Sequence, residues 1–169
     1  MKCLAVIPAR SGSKSIPNKN ITTINGKPLI AWTIIQALRS GVVDYVHVST
    51  DSPDIASVAE EYGAKCDFLR PADISGDVVG TRPAIIHSIT ELKARGCCFD
   101  HVMELQPTYC FRGSDCITGC FESLKKNFDY GATSALTCSK IEDTSHPDYC
   151  LNIGQDNFLN FGVNQLDSF

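Results

Sequence analysis

Cys3-Leu-Ala-Val-Ile-Pro8, running straight into Ala9-Arg-Ser-Gly-Ser-Lys-Ser-Ile-Pro-Asn-Lys-Asn20, is an unbroken apolar run that ends in a loop of small and basic residues. A run this short, with no polar alternation, predicts a parallel strand buried on both faces. The loop interleaves Arg10, Lys14 and Lys19 with Ser11, Gly12, Ser13 and Ser15, which are small enough for backbone N–H groups to approach a phosphate closely. The charge distribution agrees. No acidic residue precedes Asp44, so residues 1–43 carry 6 positive charges and none negative; with the whole chain at −4, the remainder nets −10. A basic opening within an acidic chain marks a place that receives anions, and the loop predicts a polyphosphate cradle.

Outward from this stretch, helical and strand periodicities alternate. Pro28 to Ser40 sets Leu29, Trp32 and Ile35 three residues apart and Ile30, Ile34 and Leu38 four apart, with Gly41 as the stop. Asp44 to Thr50 predicts a second strand. Ser52-Pro53-Asp54 then offers an N-cap and a first turn, and Ile55, Val58, Ala59 and Tyr62 share one face before Gly63. A third strand is predicted over Ala64 to Leu69, a helix from about Arg82 to Arg95 and a fourth strand over His101 to Gln106. Asp115 to Asn127 predicts another helix and Ala132 to about Cys138 a further strand. Beyond Lys140 the chain is polar, aromatic and Asn-rich and predicts no element.

Such alternation implies an α/β fold, a mainly parallel sheet flanked by helices, with residues 1–140 as the core. Ligands of these sheets bind beyond the carboxyl ends of the strands. There the segments 8–20, 49–52, 70–81 and 106–112 are expected to converge on one crevice.

The 169-residue length fits one domain, and 43% hydrophobic content supplies a core, which argues against disorder. No charged-then-apolar leader precedes the first strand, and the stretch from Pro28 to Ile35 is far short of the roughly 20 residues of a membrane span. A soluble, cytoplasmic protein is expected. Nine cysteines, odd in number and irregular in spacing, read as reduced thiols. Cys116 and Cys120 share a helical face near Cys110, yet no C-x-x-C pair or neighbouring histidine completes a tetrahedral zinc set, and core packing suits them better. Nucleic acid is not indicated, because the basic loop lacks interleaved aromatics and the chain is net acidic.

Two common nucleotide signatures are absent. No G-x-G-x-x-G follows the first strand, and Gly12-Ser13-Lys14-Ser15 lacks the upstream glycine and the Gly-Lys-Ser/Thr ending of a Walker loop. A dehydrogenase and a P-loop ATPase are thereby disfavoured. Pro8 to Asn20 instead closely resembles the signature loop of the cytidylyltransferases that activate nonulosonic acids, the CMP-sialic acid synthetase family. Gly26-Lys-Pro-Leu-Ile30, Val48-Ser-Thr-Asp-Ser52, Leu69-Arg-Pro-Ala72 with Asp77, and Leu105-Gln-Pro-Thr108 continue the resemblance in register, from Lys2 to around His146. Nucleotidyltransferases for 3-deoxy-manno-octulosonate share the Pro-Ala-Arg opening, but Lys14 with Ile16 to Asn20 is more similar to the sialic acid branch.

The resemblance implies a Rossmann-like nucleotidyltransferase fold and transfer of CMP from CTP to the anomeric hydroxyl of an acidic nine-carbon sugar. It also implies Mg²⁺, release of pyrophosphate and a homodimer. Positioning and charge neutralisation dominate such transfers. Arg10 and Lys19 are the expected catalytic cations, and the backbone N–H groups of Ser11, Gly12, Ser13 and Lys14 the expected phosphate donors. By motif, Asn20, Arg70 and Thr81 would contact the nucleotide. Gln106 would contact the sugar, although it could instead satisfy backbone groups in the Pro107 turn. Lys2, Lys27 and Arg39 read as solvated surface charges, and His87 and His101 as structural. Asp51 stays open between a metal ligand and an N-cap or Asx-turn acceptor.

Departures from the family pattern carry their own expectations. Tyr109-Cys110-Phe111-Arg112 follows Thr108 where the family tends to have Ser-Pro-Leu-Arg, so the sugar side is expected to differ. The family's late aspartate pair, which holds Mg²⁺, is not found before Phe169, which leaves the metal ligands unassigned. Residues 141–169 resemble only the start of the dimerisation region. The alternative expectation is a truncated, non-catalytic remnant that binds CTP or CDP.

Overall fold

A computed structural model describes residues 1–13, 16–138, 151–154 and 159–161. The chain divides into two compact units, Met1–Ala135 and Leu136–Phe169. In the first, the elements run β1 (Cys3–Pro8), β2 (Thr23–Ile24), β3 (Lys27–Pro28), α1 (Leu29–Arg39), β4 (Tyr45–Ser49), α2 (Pro53–Glu61), α3 (Thr81–Ala94), β5 (His101–Glu104) and α4 (Ser114–Asn127). In the second, β6 (Leu151–Ile153) pairs antiparallel with β7 (Leu159–Phe161).

The apolar run is the centre of a three-stranded sheet, with β4 on one side of β1, β5 on the other, and both pairings parallel. Side chains along a strand alternate faces. Ala5 and Ile7 therefore pack with Ile30, Ile34 and Ala37 of α1 and Ile117 of α4, whereas Leu4 and Val6 pack with Leu92 of α3 on the opposite face. With helices on both sides, the strand has no solvent-facing side and needs no polar alternation. Each buried Leu, Ile or Val contributes about 1.5–3 kcal/mol by leaving water. The register sets Pro8 opposite Ser49 and Val6 opposite Glu104, so the loops leaving all three strands emerge along one edge.

The four helices lie where the periodicity predicts them. Gly41 stops α1 with φ +71, and Ser52 caps α2 by accepting the Ile55 N–H at 3.4 Å, with Pro53 at the first turn.

The strand reading needs correction in two places. Ala64 to Leu69 forms no strand: it meets β4 at a single bridge, Lys65 to His47, where Lys65 N–H reaches the Val46 carbonyl (2.8 Å) and Val48 N–H reaches the Lys65 carbonyl (2.9 Å). The chain rejoins β4's end only at Arg70, whose N–H donates to the Thr50 carbonyl at 2.7 Å. Between these points Phe68 packs on the His47 ring and Asp67 accepts the Tyr45 hydroxyl. Those side-chain contacts replace the ladder. Ala132 to Cys138 forms no strand either, because Thr133 to Cys138 are exposed and no ladder partner lies among the described residues.

Two pairings were not predicted. The β2–β3 hairpin turns at Asn25 (φ 49) and Gly26 (φ 79), the Asn-Gly pair whose positive φ values suit a tight hairpin, and the Trp32 indole N–H donates to the Ile24 carbonyl at 2.9 Å. The β6–β7 pair lies where the sequence predicted no element. Among the described residues, no helix is long and apolar enough to cross a membrane.

Candidate functional site

The loops leaving β1 and β5 and the segment entering α3 surround a crevice of about 180 Å³ at the carboxyl edge of the sheet. Arg10, Gly12, Ser13, Lys19 and Asn20 line it from the first loop, Arg70 from the segment ahead of α3, Thr81 from the first position of α3, and Gln106 from the chain beyond β5. Lys14 lies outside the described residues.

The first loop is braced from behind. The Ser11 N–H donates to Asp51 Oδ1 (2.8 Å) and its hydroxyl to Oδ2 (2.7 Å), so both Ser11 donors face the end of β4. Burial pushes the Asp51 carboxyl up, but the two Ser11 donors, its own N–H and the Arg70 charge outweigh that and hold it below the usual carboxylate range. Ser52, not Asp51, supplies the cap of α2. Asp51 thus takes a third role, a tie between two strand ends. Asn20 is buried and its Nδ2 donates to the Arg10 carbonyl at 3.0 Å, closing the base of the loop. Asn18, at φ 51, starts the short turn Lys19–Ile21 that carries Lys19 to the crevice.

Arg70 is the most confined cation at the site. It is 7% exposed, its Nε donates to Ser75 Oγ at 3.0 Å, and its buried Nη2 has no partner among the described residues. Burial pushes the guanidinium down, the Asp51 charge opposes that and Arg10 reinforces it. A buried, underused guanidinium in a crevice is suited to receive an anion. Arg10 pairs with Asp77 across the opening. Gly80 and Thr81 bring the start of α3, a 14-residue helix without a side-chain N-cap, to the same place, and a helix N-terminus adds partial positive charge.

The Gln106 side chain bonds to a neighbouring carboxylate rather than to backbone groups of the Pro107 turn. Nε2 donates to Glu104 Oε1 at 3.2 Å, while the Gln106 backbone carbonyl accepts from Arg112 Nη2 at 3.2 Å. Ser75 and Asp77, which hold the two arginines, were not foreseen in those roles. Arg10 and Asp77 are 67 positions apart, so no local spacing announces their pairing.

Among the described residues no three His, Cys, Asp or Glu side chains group as a cation site, and Asp51 and Asp77 face Ser11 and Arg10. Cys116 and Cys120 are half-buried on α4, outside any such group.

A family model described as cytidylyltransferase matches residues 4–147. The chain belongs to the cytidylyltransferase family. Similar members include a CMP-N,N'-diacetyllegionaminic acid synthase of Legionella pneumophila, 43% identical over 90% of this chain and 63% of that protein. A pseudaminic acid cytidylyltransferase of Campylobacter jejuni is 39% identical over 75% of this chain and 55% of its own length. The chain therefore spans less than two thirds of the curated relatives it matches. A solved CMP:2-keto-3-deoxy-manno-octonic acid synthetase complexed with CTP superposes with a TM-score of 0.64 at 23% identity, covering 75% of this chain and 48% of that one, a likeness of fold. The cytidylyltransferase fold agrees with the parallel sheet and flanking helices seen here.

Proposed function

We propose that the crevice binds CTP and that the protein transfers CMP to the anomeric hydroxyl of a nonulosonic acid. One observation carries this: Arg10 and Lys19 of the first loop and Arg70 of the segment ahead of α3 meet at the carboxyl edge of a parallel sheet, beside a helix N-terminus without a side-chain cap. The anomeric oxygen attacks the α-phosphorus, the bond to the bridging oxygen breaks, pyrophosphate leaves and the hydroxyl proton passes to solvent. Charge accumulates on the α-phosphate and the leaving group. Arg10 and Lys19 neutralise it, the backbone of Gly12 and Ser13 approaches the phosphate chain, and Arg70, Asn20 and Thr81 hold the nucleotide. Gln106, which lines the crevice from the chain beyond β5, contacts the sugar. The acceptor class follows from the relatives named for legionaminic and pseudaminic acids.

Mg²⁺ belongs to this proposal as a family expectation, but no step above passes through it. The same family expectation extends to a homodimer, residues 141–169 resembling the start of the dimerisation region, and to a cytoplasmic location. The test is pyrophosphate release with CTP, Mg²⁺ and N-acetylneuraminic, legionaminic or pseudaminic acid, alongside calorimetric CTP titration. Release that disappears in Arg10→Ala and Lys19→Ala supports the proposal. CTP affinity without release retains the nucleotide site and overturns the transfer, and a titration in which CTP produces no binding heat, with no release, overturns both.

A further inference from the structure

We propose that Asp77 occupies the position of a phosphate on Arg10 and is displaced when a polyphosphate enters; this rests on reading the crevice as a polyphosphate site. Three cationic side chains line one small crevice, and Arg10 and Arg70 are close enough for the first to push the second's guanidinium down. Without an anion, like charges at that separation repel. Two carboxylates offset them, and they are held in different ways. Asp51 stands at the end of a buried strand and accepts two hydrogen bonds from Ser11. Asp77 reaches Arg10 from the irregular segment between the Ala72–Ile74 turn and α3, with Gly76 and Gly80 on either side and a neighbour, Val78, that is 98% exposed.

The pair is open to an incoming ligand, since the Arg10 and Asp77 side chains keep 33% and 35% of their surface accessible. Solvent screening makes such a pair weak. A triphosphate offers several charges and bidentate oxygens where Asp77 offers a single carboxylate, so the exchange favours polyphosphates over simple monoanions. Asp77 thereby acts as an internal competitor that sets the strength of phosphate binding.

The experiment is calorimetric titration of the full chain with inorganic tripolyphosphate at low salt. Asp77→Asn is expected to bind about fivefold tighter than the wild type, the upper range for loss of a screened ion pair. Asp73→Asn removes an equal charge from the same segment and is expected to bind as the wild type does. Asp77→Ser repeats the comparison should the first variant fold poorly. Equal or weaker binding by the Asp77 variants overturns the inference and makes Asp77 a residue that positions Arg10. An equal gain in Asp73→Asn also overturns it, by assigning the effect to overall charge. Binding by neither wild type nor variant removes the polyphosphate site itself, a failure distinct from the other two.

Discussion

Ser11 and Asp51 join the ends of two neighbouring strands through two hydrogen bonds, N–H to Oδ1 at 2.8 Å and hydroxyl to Oδ2 at 2.7 Å. The loop that carries Arg10 is thereby fixed to β4 rather than left to solvent. Function and stability meet in this contact, because a displaced loop would misplace the cation it presents.

Asp51→Asn is expected to cost about 1 kcal/mol at neutral pH, the worth of a partly exposed hydrogen-bonded carboxylate. The folded carboxyl lies below its ordinary value of 3.8, so its contribution is complete above that value and is lost as pH falls through the lower folded one. Urea midpoints between about pH 5 and pH 2 will show a shallower acid loss in the variant. Parallel curves would count against the tie.

Ser75 steadies the Arg70 guanidinium, which the proposed function places on the nucleotide. Arg70→Ala is expected to weaken CTP binding by roughly ten- to a hundredfold, the range for a buried charged hydrogen-bond donor. Ser75→Ala, which leaves the charge but loosens it, is expected to weaken binding only by about threefold. Titration calorimetry on both variants checks the ranking.

His47 lies fully buried in β4, 4.7 Å from the Phe68 ring. Burial, its largest influence, lowers its pKa from 6.5 to about 4, against a smaller opposing pull from Asp67. The unfolded chain takes up the proton first, so stability is complete above pH 6.5 and falls from there toward pH 4, by on the order of 3 kcal/mol in all. His47→Leu should flatten the denaturation midpoint across that window. A wild-type slope in the variant would assign the loss to other groups.

Gly63 ends α2 at φ +91, and a Cβ there would stand 3.2 Å from Leu38 Cδ1. Gly63→Ala is expected to cost about 1–2 kcal/mol from backbone strain and crowding together. Gly96, at φ +84 with open space around it, isolates the backbone part, so Gly96→Ala should cost less. Thermal melts of the pair measure the difference.

Much of the domain was legible before any coordinates. The absence of polar residues from Leu4 to Ile7 already meant helices on both faces of β1, and the spacing of Leu29 to Leu38 marked the helix that covers one of them. The Asn25-Gly26 dipeptide marks a hairpin, but with strands only two residues long there is no alternation around it to read. Ala64 to Leu69 misled for a different reason: its apolar content is used for the Phe68 stack on His47, and side-chain contacts leave no trace distinguishable from a strand.

Helix and strand periods, chain charge and the small-residue loop are properties of neighbours along the chain, and so the polymer's order alone specified a parallel α/β core with a basic, small-residue loop at the end of its first strand. The pairing of Arg10 with Asp77 and the fastening of Ser11 to Asp51 join positions distant along the chain that meet only because β4 lies beside β1 and the chain ahead of α3 returns to β4's end at Arg70. Folding brings those groups together and removes water from between them. Charges separated by a screening solvent along an extended chain have no interaction for local sequence to record.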